Sequence, residues 1–160
     1  MKFISMLTVC VALIAFGHFS TSAQTEKENV IAAAKALESG PVDKTTAKMI
    51  ERGIAWTIVT DEVHLIACGG TFGLFSDKKN KQSSNMTGAY MIGMAAYRLQ
   101  NPNADENAVQ LAGLQTALKA YEFAVVEKPK TKSDQVEALL VKRSNGELAA
   151  IVNAADCGKK

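Results

Sequence analysis

Apolar residues recur at steps of three and four along most of this chain, the spacing that lines one face of an α-helix. Val30, Ile31, Ala34 and Leu37 share one side of an Ala-rich stretch from Glu26 to Leu37, and Gly40-Pro41 stops it. Asp43 is placed to cap a second helix running toward Cys68 on Ile50, Ile54, Ile58, Leu65 and Cys68. Val59 and Val63 lower its helix propensity, and a strand over Trp56 to Ile66 is the alternative. Gly69 to Gly73 either ends that helix or interrupts an extension of it, and Asp77 to Ser84 is a polar loop. The next helix spans Asn85 to Gln100, with Met86, Tyr90, Met94 and Tyr97 on one face and a small-residue strip of Ala89, Gly93 and Ala96. Asn101-Pro102 stops it, and Asn103 with Glu106 forms a capping box for a helix on Leu111, Leu114, Leu118, Tyr121 and Val125. Pro129 ends this helix, and Thr131 to Asp134 carries a further capping signature. Val136, Leu139, Leu140 and Arg143 then precede Asn145-Gly146 and a last helix from Glu147 to Ala155. Asn-Gly between two apolar runs also suits a hairpin. Good helix formers on both sides, Glu137 to Leu140 and Leu148 to Ala150, favour helix–turn–helix. The fold expected is all-α: a small single-domain helical bundle of about five to six helices.

The N-terminal pattern is different. Lys2 precedes a nearly unbroken apolar run from Ile4 to Phe16, and Thr21-Ser22-Ala23 supplies small residues of the kind signal peptidase cuts. This predicts a secretory leader over residues 1–23 and a domain over 24–160, the leader's core being too short to span a bilayer. Cys10 falls inside that leader, which leaves Cys68 and Cys157. In an oxidising compartment two remaining cysteines are expected to pair, closing a loop of about ninety residues and stapling the bundle. The setting expected is periplasmic or secreted.

Charge narrows the partners. A formal net charge of +2 argues against a dedicated nucleic-acid partner, because phosphate binding needs clustered positive charge. Lys78, Lys79 and Lys81 form the one tight basic cluster before the tail, expected on a solvated loop. Beyond the leader, no segment is long and apolar enough to cross a membrane.

Candidate chemistry is sparse. Apart from His18 in the leader, His64 is the single histidine; on a helix it would share a face with Asp61 and Cys68, a geometry open to a metal site or a Cys–His nucleophile. A disulfide at Cys68 removes the thiol, and zinc needs more ligands than the cluster holds. Gly69 to Gly73 lacks the Lys-Ser/Thr ending of a phosphate-binding loop. Asn85-Met86-Thr87 fits the glycosylation pattern. Met86, Tyr90, Met94 and Tyr97 either pack the core or form an adaptable binding surface. No cofactor site, metal site or catalytic set assembles from these residues.

Cys68, the helix carrying Tyr90, Gly93, Tyr97 and Arg98, and Cys157-Gly158 resemble the layout of small bacterial envelope proteins. Those are helical, carry a leader and have one disulfide tying an internal helix to the C-terminal region. The layout is similar to HdeA-type acid-stress chaperones and to periplasmic immunity proteins of type VI secretion. The expectation is a non-enzymatic protein-binding module, such as an inhibitor, an immunity protein or an envelope accessory. The alternatives are a periplasmic stress chaperone and an enzyme or metal protein centred on His64. The expected partner is another protein, with a second copy of the chain also open.

Overall fold

In a computed structural model, residues 21–66, 68–155 and 157 are described. Most of the expected leader lies outside them. Seven α-helices follow one another: α1 (Thr21–Ser39), α2 (Lys44–Val59), α3 (Gly69–Gly73), α4 (Ser83–Gln100), α5 (Glu106–Glu127), α6 (Asp134–Ser144) and α7 (Leu148–Ala155). A 3₁₀ turn, Pro129–Thr131, sits between α5 and α6. Among the described residues there is no strand, so the all-α expectation holds. The helix count exceeds the expected five to six, in part because the glycine segment forms the one-turn α3 of its own.

The α4–α5 pair is the spine. Gly93 lies so close to α5 that a Cβ there would stand 2.6 Å from the Thr116 Cβ and 3.1 Å from the Gly113 Cα. The small-residue strip is therefore consumed inside the monomer, where it lets two helix backbones approach. Val30, Ala33 and Leu37 of α1, Val136 of α6 and Val152 of α7 bury against this spine, together with Phe75 from the loop before α4. The expected Met and Tyr face divides. Met86, Tyr90 and Met94 are 1–3% exposed and belong to the core; only Tyr97 is half-buried. Met86, Tyr90 and Met94 therefore present no binding surface, because α5 packs over the part of the face that carries them.

Three element boundaries depart from expectation. α2 ends at Val59, where Ile58, Val59 and Thr60 place β-branched residues in succession and Thr60 turns to extended backbone. Residues 60–66 are neither helix nor strand, so Asp61, His64 and Cys68 share no helix face. Val63 plugs the core, and Gln110 of α5 donates its Nε2–H to the Ile66 carbonyl at 2.8 Å, holding the segment down. α5 is capped by Asp105, which accepts the Ala108 N–H at 2.9 Å, and not by Asn103. Glu106 is thereby free to serve Arg98 and Gln110. α6 starts after Ser133, whose side chain makes no capping bond. The Asn145-Gly146 step is a helix–helix turn: Gly146 has φ +75°, the left-handed conformation that ends helices without a Cβ clash.

Candidate functional site

Cys68 and Cys157 are joined in a disulfide, their Cα atoms 5.4 Å apart across 89 residues of sequence. It ties the residue that precedes α3 to Cys157, two residues past the end of α7. Gly70 of α3 rests directly on Ala155, where a Cβ would come within 2.8 Å of the Ala155 Cβ. The glycine segment therefore serves helix packing at the staple. Thr71, fully buried, hydrogen-bonds across to the Cys157 Sγ at 3.3 Å. The disulfide points to an oxidising, extracytoplasmic setting. No described helix is long and apolar enough to cross a membrane.

A polar thread runs outward from this end of the core. The Tyr90 hydroxyl donates to the Gln110 Oε1, and Gln110, with no exposed surface, donates to the Glu106 Oε1 at 2.7 Å. The Glu106 Oε2 accepts from Arg98 at 2.9 Å, and Arg98 also donates to the Ala104 carbonyl at 2.6 Å. Burial pushes the Tyr90 phenol far above its ordinary range, partly offset by the Thr71 hydroxyl and reinforced by the Glu106 charge. Each group in the thread has a partner, as a structural network requires.

His64 lies exposed at the edge of a cleft of about 660 Å³ with Lys27, Glu62 and Arg98. Glu62 is paired with Lys27, and Arg98 with Glu106. Among the described residues no group of three or more His, Cys, Asp or Glu could hold a metal ion. The cleft brings no nucleophile to His64.

The second concavity has a different character. A groove of about 660 Å³ lies between α2, the C-terminal end of α1, the first turns of α4 and the last turns of α5. α2 contributes Ile50, Ile54 and Ile58, and α1 and the loop after it contribute Leu37 and Val42. Gly88 of α4 lies beneath Ile50 and Ile54, and Ala120 and Ala124 come from α5. Polar groups gather where the α4 start meets the α5 end: Gln82, Ser84, Asn85, Glu127 and Lys128. Glu51 stands apart from them on α2. Ile58 and Val59 remain 71% and 80% exposed. α2 packs on the core through Met49, Ile50, Ile54 and Trp56, all only partly buried, and its exposed side is left without a covering helix among the described residues.

Sequence reasoning missed this groove. The Ile50, Ile54 and Ile58 spacing was visible, but it reads as a core face until the tertiary packing leaves it half open. Comparisons with protein-family models, curated proteins and solved structures return no match.

Proposed function

We propose that this chain is a non-enzymatic, periplasmic or secreted binding module that holds an elongated apolar partner in the α2 groove. The observation that supports the reading is the groove itself. Its volume lies within the roughly 300–1,000 Å³ usual for binding sites, and its walls are aliphatic with a few polar groups gathered toward one end. The protein partner expected from the sequence, in an inhibitor, immunity or accessory role, would enter the same place as an apolar segment. A neutral, environment-sensitive naphthylamine dye tests the reading. It should brighten on native protein at neutral pH, and Ala55→Trp, a substitution at an exposed groove residue, should remove most of the gain. A dye that stays dark on folded protein, or that ignores Ala55→Trp, overturns it.

The stress-chaperone reading has its own observation. α2 is paired with α1 through Glu26–Arg52 and capped by Asp43, and the segment that follows α2 is paired with α1 through Lys27–Glu62. Protonating the acids leaves Arg52 and Lys27 cationic and without those partners, while α2 packs on the core mainly through partly buried side chains. Acid titration with dye binding and an aggregation assay separates the two readings. α2 amide protection unchanged down to low pH would eliminate the chaperone.

A further inference from the structure

We propose that the α2 groove takes a single-chain anionic amphiphile, its alkyl chain along Ile50, Ile54 and Ile58 and its acid group at the lysine-rich end. This rests on the groove reading above and names its occupant.

Shape is the first argument. From Ala47 to Ile58 the α2 wall runs about 17 Å at 1.5 Å per residue. An extended alkyl chain of about that length can lie along the isoleucine wall. The lining residues include no aromatic ring, and Gly88, Ala120 and Ala124 keep the space between the isoleucines and α5 open.

Charge is the second argument. The loop before α4 and the segment after α5 are joined by Gln82, which donates its Nε2–H to the Thr131 hydroxyl at 2.8 Å. The bond brings two basic stretches together: Lys78, Lys79 and Lys81 on one side, Lys128 and Lys130 on the other. All five are exposed, and none forms an ion pair among the described residues. Lys128 and Gln82 themselves line the groove, so the cationic cluster adjoins its polar end. Asp77 and Glu127 are the acids on these two stretches, and Glu51 is the acid on the α2 side. The lysines outnumber them. A near-neutral chain thus places basic residues beside an aliphatic opening, and a carboxylate on an alkyl chain complements both features.

Calorimetric titration with dodecanoate and with its uncharged glycerol ester, both below their micellar concentrations, tests the assignment. Dodecanoate should bind about tenfold more tightly than the ester, a preference that added salt reduces. The double variant Lys81→Gln/Lys130→Gln, at exposed lysines outside the groove lining, should reduce the preference and leave ester binding unchanged, while Ala55→Trp should weaken both. Equal affinities for the two compounds on native protein would overturn the anionic assignment. Binding of the naphthylamine dye with no uptake of either compound would overturn the amphiphile and leave the groove reading standing. Displacement of the dye by a synthetic amphipathic helix, and not by dodecanoate, would transfer the groove to a protein partner. Failure of the dye itself would remove the groove reading together with this inference.

Discussion

Gly88 and Gly93 share helix α4 but face different neighbours. A Cβ at Gly88 would touch the Ile54 Cδ1 at 3.4 Å and the Ile50 Cγ2 at 3.8 Å, ordinary contact distances. Gly88→Ala should therefore raise stability by about 0.5–1 kcal/mol, the usual gain from removing a helix-interior glycine. A Cβ at Gly93 would collide with Thr116, whose hydroxyl is already held by Glu38 at 2.6 Å. Gly93→Ala should instead cost about 1–3 kcal/mol, because overpacking outweighs the propensity gain. Urea midpoints of the two variants should move in opposite directions. Tyr90 offers a second residue-scale test. Tyr90→Phe leaves the Gln110 Oε1 buried without its donor and should cost about 1–3 kcal/mol by the same measurement.

Among the elements, α7 depends most on the covalent staple. It is short, it buries Leu148 and Val152, and it meets α3 through the Gly70–Ala155 contact beside the disulfide. Removing the disulfide with Cys68→Ala/Cys157→Ala should cost about 4–5 kcal/mol on the chain-entropy account of a loop this long. The loss should be uneven: α7 amides should exchange first, ahead of those in the α4–α5 pair, in hydrogen exchange followed by mass spectrometry. α5 illustrates how an element's limits depend on its neighbours. Asn103 and Glu106 suited a capping box by spacing, yet Arg98 of α4 claims Glu106, and Asp105 takes the cap two residues later. Asp105→Ala should cost about 1 kcal/mol, and Asn103→Ala should leave the thermal midpoint nearly unchanged.

For the molecule as a whole, the titration directions define a stability plateau. The backbone N–H and hydroxyl of Thr46 hold the Asp43 carboxyl below its ordinary value of 3.8. Partial burial raises the Glu122 carboxyl, but hydrogen bonds and charge from Arg143 and Lys119 outweigh it, and the net shift is downward. Both contribute stability above the ordinary carboxylate range and lose it as pH falls through their lowered values. Burial raises the Tyr90 and Tyr121 phenols above their ordinary value of 10.0, so their contribution is complete below that pH. It is lost as pH climbs above it, toward the folded-state values. The urea midpoint should thus be flat near neutrality and fall on both sides. In alkali, ultraviolet difference spectroscopy should find the phenolate signal of these two tyrosines arriving together with unfolding.

Local pattern was enough for the all-helical class, the core faces of α1, α5 and α6, the helix break at Asn145-Gly146 and, with Cys10 assigned to the expected leader, the pairing of Cys68 with Cys157. Each depends on spacing, on strong stop residues or on a count of thiols, and these are properties of neighbours in the chain. The end of α2, the owner of the α5 cap and the burial of Met86, Tyr90 and Met94 were decided by tertiary structure. So was the groove. An isoleucine at a helical step shows which way it faces along its own helix, but not whether another helix arrives to cover it. Here α5 covers the Tyr90 face of α4 completely, whereas the bundle leaves one side of α2 open. Gln82, reaching Thr131 across a sequence separation of 49, joins the loop before α4 to the segment after α5, whose Lys128 lines that opening.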